Sequence, residues 1–293
     1  RADTFRMWLS NRCSEALPPS RVSMSESELG WLPVILEDPE GGRIVLYPHL
    51  PCVRMPSELR TREHWDGLAL IASAEEVSGW PAEEKEDQAS PGVHVAAAMA
   101  SGTILGRLLD DLTIYEVDGP SIPDPEPMRL LHHAENARGG MPIYALEPSM
   151  DDEGWIEWMT RAADEQVSIS SLLSSITIGR RWKKLRAAAV SRVAAAKGVD
   201  SELGAAAASS AAWWIEENKG LSEELREERC SRLVARMRGA LANLREGRVD
   251  DSEARGPSLM VPVHQPRLHS LVEAFEGWPD AEPVNTLGAQ EDS

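Results

Sequence analysis

The segment Ser258-Leu259-Met260-Val261-Pro262-Val263-His264 decides which fold the sequence predicts. It is a short apolar run typical of a buried strand, and it follows a long helix-rich stretch at residues 152–247. Before that stretch, short apolar runs alternate with helix-like segments. The helices are therefore predicted to be an insertion between an α/β start and a closing strand. The returning strand would bring His264 back beside residues placed early in the chain.

Three earlier runs are predicted to be strands of the same sheet. They lie at residues 68–72, at Leu112-Thr113-Ile114-Tyr115 and at residues 141–146. Strands that alternate with helices form mostly parallel sheets. The predicted fold class is therefore α/β, with a mostly parallel central sheet and a large helical insertion before the last strand.

Three regions are expected along the chain. They are a hairpin with loops, a domain that contains the helical insertion, and an acidic tail predicted to be disordered, at residues 1–65, 66–276 and 277–293. The hairpin is predicted from two β-rich runs around Asp38-Pro39-Glu40-Gly41-Gly42, whose residues favour a turn.

The composition narrows the classes of function. With 42% hydrophobic and 27% charged residues, the 293-residue chain has the profile of a globular protein. A formal net charge of −18 argues against non-specific binding to nucleic acid. No apolar run approaches the ~20 residues of a membrane span. The three cysteines are too sparse for a disulfide framework, which favours a reducing compartment and a cytoplasmic location.

Acidic residues and one histidine follow the predicted strands. In parallel sheets, ligands bind beyond the carboxyl ends of the strands. Glu75, Glu116, Glu147 and His264 would share that edge, where carboxylates and an imidazole can hold a metal or transfer protons. The alternative is that Glu75 is an exposed loop acid and that His264 is a hydrogen-bonded turn residue.

Six short motifs occur in an order that is informative as a set. They are Leu70-Ile71-Ala72-Ser73-Ala74-Glu75-Glu76-Val77-Ser78, Tyr115-Glu116-Val117-Asp118, the strand that leads to Glu147-Pro148, Thr177-Ile178-Gly179-Arg180-Arg181-Trp182, Glu228-Arg229, and Val261-Pro262-Val263-His264-Gln265-Pro266-Arg267. This order resembles the TraB/PrgY/GumN family, which is related to the Tiki metalloproteases. The resemblance covers roughly residues 66–276.

The resemblance implies a metal-dependent hydrolase that acts on peptides. Glu75, Glu116 and His264 would be the metal ligands, and Glu116, Arg180 and His264 the catalytic residues. Because this set contains only one imidazole, it would favour a hard divalent cation such as Mn²⁺. Glu228 and Arg229 match a Glu-Arg pair of the family. Glu75, Glu116, Arg180 and His264 are then expected to meet at one cleft.

The departures from the family pattern support a second hypothesis. Glu75 stands where the family has its first histidine, and the glycines of two motifs are absent. Glycine at such turns permits positive φ or close backbone approach. The alternative function is therefore a catalytically degenerate, TraB-like protein that binds a peptide or partner protein in a regulatory role.

Overall fold

The computed structural model describes residues 27–166, 178–247 and 256–288. Its sheet has five strands in the order β1-β2-β5-β3-β4. In chain order the strands are β1 (Val34–Glu37), β2 (Arg43–His49), β3 (Gly67–Leu70), β4 (Ile143–Ala145) and β5 (Ser258–His264). Among the strand pairs of the described residues, β1–β2 is antiparallel and the other three are parallel. The predicted α/β fold with a mostly parallel sheet is confirmed.

Strand β5 occupies the centre of the sheet. It pairs in parallel with β2 along residues 258–264 and with β3 through Leu259 and Met260. The first six residues of β5 are buried, which explains why its sequence is apolar without alternation. The predicted hairpin is confirmed, but it belongs to this same sheet. The expected division at residue 65 therefore does not follow the sheet.

Helices follow the strands and cover both faces of the sheet. They are α1 (Ala74–Ala89), α2 (Val93–Ala100), α3 (Ile104–Leu112), α4 (Pro125–Asn136), α5 (Glu153–Gln166), α6 (Ile178–Val190), α7 (Ser201–Glu217), α8 (Glu223–Glu246) and α9 (Leu268–Phe275), with a 3-10 turn at Gln265–Arg267. Asp200 and Ser222 cap α7 and α8, since their side chains accept from the amides of Leu203 and Leu225. None of these helices is long and apolar enough to cross a membrane.

The core lies on the two faces of the sheet. On one face Leu233, Met237 and Leu241 of α8 belong to the same buried cluster as Ile44 and Val261. On the other face, α4 contributes Met128 and Leu131 to a cluster with Val45, Leu68 and Met260. Helix α4 is thus fixed to β2 and β5, which matters because the residue that caps α4 reaches their carboxyl ends.

The strand predicted at residues 112–115 is wrong. Leu112 is the last residue of α3 and is buried, whereas Ile114 is 73% exposed. Leu108, Leu109 and Leu112 form the buried side of the helix, so the apolar run continued a helical face. A short apolar run does not by itself distinguish a strand from the end of a helix. Glu116 therefore does not follow a strand.

The prediction of a disordered tail is also wrong for residues 277–288. Val284 is buried, the amide of Glu282 donates to the carbonyl of Ala235 at 2.9 Å, and the amide of Leu287 donates to Ile143 at 2.7 Å. The acidic composition indicated disorder, but Glu282 forms ion pairs with Arg232 and Arg236. Residues 289–293 of the predicted tail, like residues 1–26 of the predicted N-terminal region, lie outside the described residues.

Candidate metal centre

The carboxyl ends of β2 and β5 meet in the middle of the sheet, and each strand ends in a histidine. His49 is the register partner of His264. The two imidazole ring centroids are 4.9 Å apart, with an interplanar angle of 62°. Because ligands of parallel α/β sheets bind beyond the carboxyl ends of the strands, this pair lies where a binding site is expected.

Asp124 joins the two histidines from the end of the loop that precedes α4. Its Oδ2 atom lies 3.1 Å from Nε2 of His264 and 3.8 Å from Nδ1 of His49. One potential ligand atom from each of the three residues lies within 4.8 Å of the others, as in a metal site. The described part of the chain contains no second group of three His, Cys, Asp or Glu residues with this spacing.

The three side chains differ in their exposure to solvent. The side chain of His49 is 2% exposed, and its Nδ1 atom lies 3.2 Å from the carbonyl oxygen of Leu50. Burial lowers the pKa of His49 to about 4, although the charge of Asp124 acts in the opposite direction. His49 is therefore neutral at pH 7. The side chains of His264 and Asp124 are 31% and 17% exposed, so solvent reaches the centre from their side.

One oxygen of Asp124 is buried without a partner in the described part of the chain. This atom is Oδ1, which accepts no hydrogen bond there, whereas Oδ2 faces the imidazoles. Buried polar atoms are nearly always hydrogen-bonded, because an unpaired one loses its interaction with water. This atom is therefore available to a ligand that the protein alone does not supply.

Glu126 fixes the start of α4 against the strand that carries His49. It is fully buried and accepts hydrogen bonds from the hydroxyl of Tyr47 at 3.2 Å and the amide of Met55 at 3.1 Å. Arg129 donates to the same carboxylate at 2.7 Å. Because Asp124 lies two residues before Glu126, these bonds set its position relative to β2.

The loop before Asp124 is held by the segment that follows His49. The amide of Ser121 donates to the carbonyl of Cys52 at 2.9 Å, and the amide of Arg54 donates to Asp118 at 2.8 Å. Gly119 lies so close that an added Cβ would be 2.6 Å from the oxygen of Cys52. The two segments that carry His49 and Asp124 are therefore joined by their backbones.

Two further residues border His264. The ring of Trp213 on α7 stands edge-on to His264, with centroids 5.4 Å apart. Gln265 donates through Nε2 to the carbonyl of Gly30 at 2.9 Å. These contacts hold the turn after β5 in place and cover one side of the His264 imidazole.

Of the four residues expected to meet at one cleft, only His264 lies at this centre. Glu75 is exposed in the first turn of α1, and Arg180 is exposed on α6. Glu116 is exposed in a cavity of about 350 Å³ that Arg54 and Arg60 also line. Glu75 and Glu116 do not contribute to the group of potential ligands around His264. The expected meeting of the four residues is therefore wrong.

The Glu228-Arg229 pair separates into two ion pairs. Glu228 accepts from Arg161 of α5 at 2.5 Å, and Arg229 donates to Glu147 at 2.5 Å. Adjacent helical residues point in different directions, which explains why the two side chains have different partners. Glu147 follows β4 as predicted, but its carboxylate bonds to an arginine and is not part of the centre.

Sequence reasoning missed His49 and Asp124. Two β-rich runs end in histidine, Tyr47-Pro48-His49 and Pro262-Val263-His264, and this repetition was a usable signal. Asp124 lies directly before the helix that opens with Pro125, where aspartate is a common cap. The sequence does not show that β2 pairs with β5, and that pairing brings the histidines together.

Comparisons of the chain with protein-family profiles, curated proteins and solved structures found no match.

Proposed function

We propose that His49, Asp124 and His264 bind a divalent metal ion and that the protein is a metal-dependent hydrolase acting on peptides. Two imidazoles and one carboxylate form a donor set that many hydrolytic metal sites use. Three protein ligands leave coordination positions for water and substrate. When bound, such a metal polarises a carbonyl group and lowers the pKa of water.

The unpartnered Oδ1 atom of Asp124 is the observation that carries this proposal. It belongs to the carboxylate whose other oxygen, Oδ2, faces two imidazoles, and one of these, His49, is neutral and carries a lone pair. Metal binding requires a deprotonated carboxylate and neutral imidazoles, and it would satisfy an oxygen that otherwise has no partner. The side chains that would accept the metal are already within one coordination sphere of each other.

The ligands proposed from the structure change which metal ion we expect the centre to bind. The ligands expected from the sequence, two carboxylates and one imidazole, favoured Mn²⁺. With two imidazoles in place of one, Zn²⁺ fits better, and Mn²⁺ remains compatible. Substrate would approach from the side of His264 and Asp124, since His49 is buried behind them.

The decisive experiment measures metal content and metal affinity. Protein purified without chelator is analysed by mass spectrometry for bound metals, and Zn²⁺ and Mn²⁺ binding is titrated by calorimetry. Asp124→Asn and His264→Ala should each weaken binding at least tenfold. His132→Ala, which removes a half-exposed imidazole from α4, is the matched control and should bind normally.

Peptide hydrolysis by the metal-loaded protein is the second half of the test. Activity on a mixed peptide library should disappear on chelation and in Asp124→Asn, and it should survive in His132→Ala. Protein that neither contains nor binds a divalent ion would contradict the metal centre. Protein that binds metal but cleaves no peptide would contradict the peptidase part alone.

The alternative is a protein that binds a peptide or partner without catalysis. Two contacts favour it: Asp124 already bonds to His264, and Trp213 covers one side of that ring. In this case the cluster serves only to hold the turn after β5. The purified protein should then contain no metal, and the Asp124→Asn variant should keep the biological activity.

A further inference from the structure

Two nitrogens of the Arg267 guanidinium are buried without a hydrogen-bond partner among the described residues. Arg267 ends the 3-10 turn after β5 and is 6% exposed. The two nitrogens are Nε and Nη2, and the guanidinium carbon lies 5.5 Å from the ring of Trp214. Leaving a charged group buried and unpaired is strongly destabilising, so this position implies a missing counter-charge.

Other unpartnered donors line the same cavity as Arg267. Arg229 and Trp214 line it, and their Nε and Nε1 atoms are also buried without partners. Arginine and indole nitrogens only donate hydrogen bonds. The cavity therefore presents four donor atoms without a partner in the described part of the chain, together with the charge of Arg267, which forms no ion pair there; both features favour an anion.

The nearby acidic groups offset the charge of Arg267 only in part. Glu147 bonds to Arg229, and it makes no hydrogen bond with Arg267 among the described residues. Burial raises the pKa of the Cys230 thiol, so that thiol remains neutral. Glu217 lines the adjacent groove, where burial raises the pKa of its carboxyl group. A positive cavity therefore remains.

We propose that this cavity binds a small monovalent anion, either a halide ion or the carboxylate group of a ligand. Its volume of about 20 Å³ holds roughly one water-sized group, which suits a halide or a carboxylate oxygen and excludes a whole phosphate. A neighbouring groove of about 260 Å³ shares Trp158, Leu221 and Arg229 with the cavity. The apolar part of a carboxylate ligand would lie in that groove.

The anion site is separate from the metal centre. His264 contacts Trp213, whereas Arg267 contacts Trp214, and the two indole rings are tilted by 53° to each other. No residue of the metal centre lines the anion cavity. The anion proposal therefore does not depend on metal binding and can be tested on protein that has been treated with chelator.

The test measures the melting temperature as a function of anion. Protein is exchanged into sodium methanesulfonate, whose tetrahedral anion has no carboxylate and is too bulky for the cavity, and chloride or acetate replaces it at constant ionic strength. The melting temperature of the wild type should rise saturably by about 2–4 °C. Arg267→Met should show no rise and should unfold in methanesulfonate no earlier than the wild type, because removing an unpaired buried charge is not destabilising.

Two variants and one direct measurement complete the test. Arg54→Met removes an exposed arginine and should keep the full rise. Trp214→Phe keeps an aromatic ring at this position but removes the indole donor, so the half-saturating concentration should increase about fivefold. Crystals soaked in bromide should show anomalous scattering beside Arg267. The proposal fails if neither chloride nor acetate saturates, if Arg267→Met keeps the rise, or if chloride saturates but bromide binds elsewhere.

Discussion

His49 and His264 face each other across the parallel ladder between β2 and β5, with their ring centroids 4.9 Å apart. The first belongs to the N-terminal hairpin, and the second ends the strand that returns after the helical insertion. Their side chains are 2% and 31% exposed. The two histidines hold equivalent positions on neighbouring strands but differ in burial. Their replacement should therefore change the stability of the protein by different amounts.

Replacing His49 by alanine should reduce the free energy of unfolding by about 2–4 kcal/mol, because it opens a cavity in a buried region. His264→Ala should reduce the free energy of unfolding by less than about 1.5 kcal/mol, since the ring of His264 is partly exposed to solvent. Urea unfolding in the presence of a chelator separates this effect from metal binding. Equal losses in the two variants would contradict the difference in burial.

Glu126 should control metal affinity without touching the metal. Glu126→Gln keeps the size of the side chain but weakens the bonds to Arg129 and Met55 that hold the start of α4. We expect the affinity of the centre for Zn²⁺ to fall roughly 10–100-fold, as for residues that orient metal ligands. Calorimetric titration gives the measurement. Glu135→Gln is a substitution at an exposed position of the same helix and should leave the affinity for Zn²⁺ unchanged.

The ion pair between Asp38 and Arg238 should make stability depend on pH in the acid range. Burial raises the pKa of Asp38, but hydrogen bonds from Arg238 at 2.8 Å and from the amide of Glu40 outweigh it, so the pKa lies below its usual value. A lowered folded pKa means that the carboxylate stabilises the fold above its unfolded pKa of about 3.9. That stabilisation is lost as the pH falls through the folded pKa.

Unfolding in urea at pH 7, 5 and 3 tests the Asp38 prediction. Asp38→Asn should cost about 1–3 kcal/mol at pH 7, because buried Arg238 loses its buried partner and keeps only the exposed carboxylate of Glu40 at 3.4 Å. The stability of the variant should change less between pH 5 and 3 than that of the wild type. Asp110→Asn on the exposed side of α3 is the control. An acid dependence as steep in Asp38→Asn as in the wild type would contradict the assignment to this carboxyl group.

The fold was more predictable from the sequence than the site was. Strand β5 is indicated by a continuous apolar run in its own sequence. Helix α8 is indicated by Ser222, its N-cap, which precedes two glutamates. The pairing of β2 with β5 has no such signal, because it joins segments separated by the whole helical insertion. His49 therefore went unnoticed, and only one of the two histidines was predicted as a ligand.

Two residues show why the rest of the site was hidden. Asp124 lies in a proline-rich loop, and nothing local to it indicates that its carboxylate reaches two strand ends. Glu116 was predicted because residues 112–115 have a strand-like composition, whereas packing against the rest of the molecule makes Leu112 the end of α3. In both cases tertiary contacts decided the outcome, and local sequence does not encode them.

The acidic segment after α9 should depend on a glycine in α8. An added Cβ on Gly239 would lie only 1.7 Å from the carbonyl oxygen of Glu282, so Gly239→Ala cannot keep that segment in place. We expect displacement of residues 282–287 and loss of the ion pairs between Glu282 and the arginines of α8. Hydrogen exchange should show the amides of Glu282 and Leu287 becoming unprotected, while β5 remains protected. Ala242→Gly is the control for altered helix propensity, because it changes the last turns of the same helix without adding atoms. It should leave both amides protected. Retained protection of Glu282 in Gly239→Ala would mean that the segment does not pack against α8.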